Sequence, residues 1–102
     1  MKLSFIIIPL DSPNKSLTYL INSAVNDFTK EFGGSTFYEV YGQWKGDGKQ
    51  IKATKIEVAV PSDEHDVFIM MAKDIAVEAG VKEIMVQDYE GDIHFIPGKG
   101  AN

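Results

Sequence analysis

Few side chains in this sequence have the chemistry to move a proton or hold a ligand, and they fall into three groups. The two histidines both stand near acids: His65 between Glu64 and Asp66, and His94 two residues after Asp92. An imidazole beside carboxylates serves as a metal ligand only if the fold gathers a third donor, here both histidines and one carboxylate. Nothing in the spacing demands that, and a histidine near acids is ordinarily a solvated surface group. The second group is Glu39, Glu57 and Lys55. Either carboxylate could act as a general base, but a glutamate beside Lys55 is more simply an ion pair across neighbouring strands. The third is the run "FGGSTFYEVYGQW", residues 32–44, with five aromatic side chains and three glycines.

What is missing narrows the chemistry further. There is no cysteine, so disulfides, thiol nucleophiles, iron–sulfur ligation and cysteine zinc sites are excluded. All ten basic residues are lysine. Without arginine the chain lacks the planar fork suited to phosphate and to guanine edges. The net charge is −5, and it is uneven: residues 1–51 carry five lysines and five acids, residues 52–102 five lysines and ten acids. An acidic surface repels a phosphate backbone, so no nucleic-acid partner is expected.

At 102 residues the chain is long enough for one domain with a single core. "KLSFIIIPL" is apolar, β-branched and closed by a proline, which predicts a central strand. The apolar run is too short for a signal peptide or a membrane span, so a cytoplasmic location with no membrane partner is expected. Ser12 and Pro13 offer a helix start. Leu17, Leu20, Ile21, Ala24, Val25, Phe28 and Phe32 then recur at three- and four-residue steps, predicting a helix that ends at Gly33. Residues 36–44 read as a second strand. Asp47-Gly48 marks a turn. "KQIKATKIEVAV" reads as the return strand, with Thr54, Ile56, Val58 and Val60 on its buried face. Ser62 is the expected cap of a second helix whose stripe is Phe68, Met71, Ala72, Ile75, Ala76 and Ala79, closed by Gly80. "KEIMVQD", the turn "YEGD" and "IHFIP" complete the order. Residues 1–97 form one domain on this basis, and 98–102 a flexible tail.

Two helices on one face of an antiparallel sheet, in the order strand, helix, strand, strand, helix, strand, predict an α+β ferredoxin-like sandwich with a short extra C-terminal strand. The second strand lies at an edge. Its alternation assigns Tyr38, Val40 and Trp44 to the core and Phe37, Glu39 and Tyr41 to the uncovered sheet face, beside Ala53, Lys55 and Glu57. A one-residue shift in register would exchange the two sets. Phe37, Tyr41, Lys55 and Glu57, with Trp44 at the strand end, are the candidate contact residues.

Known users of this topology are tested by their signatures. An RNA-recognition motif stacks bases on aromatics of its two central strands; here the first offers Phe5 and the other, "ATKIEVAV", none. Acylphosphatase-like catalysis needs an arginine in the loop after the first strand, which is "PLDSPNK". "IIIPLDSPNKSLTYLINSAV" resembles the start of an ACT domain, with Asn14 where that family has glycine; such domains bind amino acids at strand–helix loops and dimer seams. The "FGG-x-T" start and "G-x-W" end of the second strand (Phe32, Gly33, Gly34, Thr36, Gly42 and Trp44) resemble small phage and plasmid proteins of no established activity. That resemblance implies the fold and no catalytic residues.

The expected function is a non-catalytic binding or interaction module without cofactor, homodimeric through the open sheet face or the edge strand. A small-molecule-sensing or catalytic dimer would instead show a polar pocket around Glu57 or His94. An acidic inhibitor of a host protein would show a continuous acidic surface.

Overall fold

A computed structural model describes residues 2–10, 17–43 and 48–98. The elements are β1 (Lys2–Pro9), α1 (Leu17–Phe32), β2 (Thr36–Gln43), β3 (Gln50–Val60), a 3₁₀ turn (Ser62–Glu64), α2 (His65–Ala79), β4 (Glu83–Gln87) and β5 (Ile93–Pro97). All five strands join one antiparallel sheet in the order β2-β3-β1-β4-β5. The protein is thus an α+β fold with a five-stranded antiparallel sheet and two helices. The short C-terminal strand expected over IHFIP is β5, which pairs with β4 at the edge of the sheet.

Apolar alternation sets the layers. Ile6 and Ile8 of β1, Ile56, Val58 and Val60 of β3, and Ile84 and Val86 of β4 point to one face and are buried there. Both helices cover that face. α1 contributes Leu20, Ala24 and Phe28, and α2 contributes Phe68, Ala72 and Ala76. The rings of Phe28 and Phe68 lie 5.6 Å apart, with Phe32 against both. Each buried phenylalanine stabilises the fold by about 1.5–3 kcal/mol through loss of apolar surface.

The helix ends follow from local chemistry. α1 stops at Gly33, whose φ of +90° is open to glycine and costly for other residues. Its N–H donates to the Thr29 carbonyl. Ser62 does not cap α2: the chain makes the 3₁₀ turn first, Glu64 N–H donates to Pro61 O, and the α-helix begins at His65. The proposed cap of α1 at Ser12 and Pro13, and Trp44, lie outside the described residues, as does the tail from residue 99. Gly98, assigned to the tail by sequence, is held: its N–H donates to Lys82 O, and a Cβ there would overlap the carbonyl oxygens of Ala76 and Val81.

The faces of β2 are the reverse of the expected ones. Thr36 pairs with Glu57, Tyr38 with Lys55 and Val40 with Ala53, so these residues share the face the helices leave open. Phe37, Glu39 and Tyr41 pair with Ile56, Thr54 and Lys52 and lie on the helix side. Tyr38 and Val40 are therefore not core, and Phe37 and Tyr41 are not on the open face. α1 packs over β3, and β2 runs beyond it as an edge, so Phe37 and Tyr41 remain 50% and 69% exposed.

Candidate active site between the second helix and the edge strand

The β4–β5 hairpin turns on one aspartate. Asp88 follows β4, and its Oδ1 accepts the backbone N–H groups of Glu90 at 2.9 Å and Asp92 at 3.0 Å. Its own N–H donates to Asp92 O, and Gly91 N–H donates to Asp88 O. Gly91 has φ +90° and so permits the tight turn. The second carboxylate oxygen, Oδ2, lies 2.6 Å from His94 Nε2 on β5. The Asp88 side chain is 7% exposed and that of His94 47%. A buried carboxylate therefore grips an imidazole whose other edge faces outward.

Burial pushes the Asp88 carboxyl up, as it does any charge taken from water. The His94 hydrogen bond, the two backbone N–H groups and the charge of His94 outweigh it, so the group is held below the ordinary carboxylate value. Asp88 is thus ionised at neutral pH and accepts the Nε2 proton. That fixes the imidazole tautomer and leaves Nδ1 with the lone pair when the ring is neutral.

His94 lines a cleft of about 370 Å³ between β5 and the start of α2. His65, Ile69 and Lys73 recur at four-residue steps along one face of α2 and form its other wall with Asp66. Ile96 and Pro97 supply apolar surface. His65 Nδ1 is buried with no hydrogen-bond partner among the described residues, an arrangement that costs about 1–3 kcal/mol. The cleft thus combines apolar walls, two imidazoles, a carboxylate and an ammonium. The fold does bring His65 and His94 to one place. It adds no third donor around a point: no cluster of three or more histidine, aspartate or glutamate side chains suited to a metal occurs among the described residues.

The other sequence candidates lie elsewhere. Lys55 and Glu57 are on the open sheet face as expected, paired at 3.7 Å, with the Lys55 ammonium 4.2 Å from the centroid of the Phe5 ring. Glu39 is on the helix side and pairs with Lys52 at 3.2 Å. Phe37 lines a second cleft of about 280 Å³ beside α1, with Leu10, Ile21, Asn22 and Thr54. Gly42 makes a regular pair with Ile51. Sequence reasoning passed over Asp88, which sits outside "YEGD" by one residue. The available signal was its place before a glycine-containing turn, where an aspartate side chain caps the N–H groups two and four residues on.

No protein-family model matches the sequence, and no curated protein matches it. Among solved structures, the chain is similar to a phage SAM lyase in its apo state, with a TM-score of 0.65 over 93% of this chain and 87% of that one, at 14% identity. It is also similar to a phage SAM lyase in complex with S-methyl-5'-thioadenosine, with a TM-score of 0.59 over 93% and 88% of the two chains, at 11% identity. At these identities the likeness is one of fold. It nonetheless corrects the expectation of a non-catalytic module, because the neighbours that share this architecture are enzymes. No helix among the described residues is long and apolar enough to cross a membrane. The architecture that this chain shares over nearly its whole length is the one on which the phage SAM lyases are built.

Proposed function

We propose that this protein is an enzyme of the SAM lyase type, acting on an adenosyl sulfonium in the cleft between α2 and β5. The observation that carries this reading is the Asp88–His94 pair at the wall of that cleft, 2.6 Å apart, in a fold similar to that of an enzyme with such a substrate. Its first four strands and two helices are read as a ferredoxin-like unit to which β5 adds a wall of the site, and its place of action as the cytoplasm.

The chemistry balances without an added reactant. A lyase breaks the bond between the sulfonium and the four-carbon amino acid chain, and both bonding electrons leave with sulfur. The sulfur-containing product is S-methyl-5'-thioadenosine. The four-carbon fragment loses a proton from the carbon adjacent to the one that bore sulfur, and that C–H electron pair becomes the double bond between these two carbons. His94 Nδ1 accepts this proton, while Asp88 stabilises the imidazolium that forms. Ile69, Ile96 and Pro97 give the nucleoside an apolar wall. Lys73 is the cation available to the substrate carboxylate.

The test is to incubate the protein with SAM and separate the products by chromatography. The expected result is S-methyl-5'-thioadenosine and an unsaturated four-carbon amino acid, with kcat reduced at least about 100-fold by His94→Ala, the scale of a lost general base. Absence of S-methyl-5'-thioadenosine would overturn the function. Its formation at an unchanged rate in His94→Ala would move the site away from this cleft.

A further inference from the structure

His65 Nδ1 is buried and has no hydrogen-bond partner among the described residues, although the residue stands in the wall of the cleft that His94 lines. A buried nitrogen left in this state destabilises the folded chain, and a ligand that brings the missing hydrogen bond removes that penalty. The other groups of the cleft already match parts of an adenosyl sulfonium. Lys73 matches the carboxylate, the apolar walls match the base, and His94 meets the carbon that loses its proton. The ribose hydroxyls have no counterpart in that set.

The lie of β5 along α2 brings the ribose to His65. Gly98, the residue after β5, packs against the carbonyl oxygens of Ala76 and Val81 at the C-terminal end of α2. His94 stands four residues earlier in the sequence, about 13 Å back along an extended strand. A helix covers that distance in about nine residues, which leads back from Ala76 to the first turn of α2. The two imidazoles therefore stand at the same end of the cleft, His94 on the strand and His65 on the helix. In the ligand the ribose ring is two bonds from the sulfur. A ligand whose reacting carbon is at His94 thus has its hydroxyls at this end.

We infer that His65 Nδ1 hydrogen-bonds a ribose hydroxyl of the ligand and so makes the cleft selective for ribonucleosides. The inference rests on this cleft being the site of the proposed lyase. A hydroxyl both donates and accepts, so it satisfies Nδ1 whichever ring nitrogen carries the proton. A carboxylate can only accept and an ammonium only donate, so neither suits both tautomers. Asp66 is the rival acceptor in the same wall. It is exposed, and a solvated carboxylate exchanges one good hydrogen bond for another when a ligand binds. Nδ1 has no bond to give up, so the hydroxyl gains more at His65.

The test is titration calorimetry with S-methyl-5'-thioadenosine and with its 2',3'-dideoxy analogue. The wild type is expected to bind the first about 10-fold more tightly, the scale of a lost hydrogen bond. His65→Phe fills the volume of the ring without its nitrogens. It is expected to bind both compounds with the affinity that the wild type has for the analogue. His65→Asn, whose amide reaches the place of Nδ1, is expected to regain part of the preference. Ligand-free His65→Phe is expected to melt no lower than the wild type, since the nitrogen it removes had no partner; a purely structural histidine would lower Tm. A wild type that does not bind S-methyl-5'-thioadenosine, or binds both compounds alike, would overturn the inference. So would a preference that survives in His65→Phe, or one that is lost in Asp66→Asn instead. If His65→Phe does not fold, the wild-type comparison and His65→Asn decide, and a His65→Asn protein with the full wild-type preference and affinity would overturn the inference. Binding needs no turnover, so the two readings fail separately. SAM left intact by a protein with the His65-dependent preference would sink the lyase and leave ribose selection standing. SAM cleaved with an unchanged KM by His65→Phe would leave the lyase and overturn the role of His65.

Discussion

Oδ2 of Asp88 stands 2.6 Å from Nε2 of His94, while the other oxygen of the same carboxylate closes the turn between them. One side chain therefore sets both the path of the hairpin and the orientation of the imidazole. Replacement of Asp88 is expected to affect stability and catalysis together, which distinguishes it from His94.

His94→Ala and Asp88→Asn are expected to be non-additive in kcat. Once the imidazole is gone, the carboxylate has nothing to orient, so the double variant should be no slower than His94→Ala alone. Single-turnover assays on the four proteins measure this. Independent multiplication of the two effects would show that Asp88 acts on substrate by another route.

Acid should expose the same carboxylate through stability. Asp88 is held below the ordinary value of about 3.9 for an aspartate in the unfolded chain. Between the folded and unfolded values the unfolded chain binds the extra proton, so stability falls as pH drops through this window. Above it the contribution is complete. Asp88→Asn cannot ionise. Thermal melts from pH 6 down to pH 2 should therefore show the variant below the wild type near pH 6, with the gap narrowing below about pH 4. A gap that stays constant would contradict the assignment.

Phe28 and Phe37 are both phenylalanines in an aromatic setting, yet truncation should cost far more at the first than at the second. Phe28 is fully buried against Phe68, and Phe28→Ala should cost about 3–5 kcal/mol in urea denaturation. Phe37 is half exposed on an edge strand, and Phe37→Ala should cost under about 1 kcal/mol.

Gly98→Ala should destabilise by about 2 kcal/mol or more, read as a loss in Tm, because the added methyl meets two backbone carbonyls rather than a flexible side chain. Gly34→Ala, with open space around the position, is the matched control and should change little.

These contrasts show what the sequence carries and what it does not. α1 and β3 were legible because each has one covered face, so their apolar residues repeat with the period of the element: Leu20, Ala24 and Phe28 on the helix, Ile56, Val58 and Val60 on the strand. β2 has no such asymmetry. Both of its faces are largely exposed, aromatics stand on both, and alternation then cannot say which set faces the helices. The partner strand decided it, through Thr36 opposite Glu57. The two histidines were visible as chemistry, but their common cleft depends on β5 packing beside α2. Asp88 was hidden because an aspartate before a turn reads the same whether its carboxylate meets water or an imidazole.

The hairpin from Asp88 to His94 also works as a ruler. The six-residue separation is what lets one carboxylate reach the turn amides with one oxygen and the ring with the other. A single insertion within 89–91 would leave both residues in the sequence and part them in space. Among relatives of this chain, the spacing of that aspartate and histidine is thus a better mark of the proposed proton acceptor than the presence of the histidine alone.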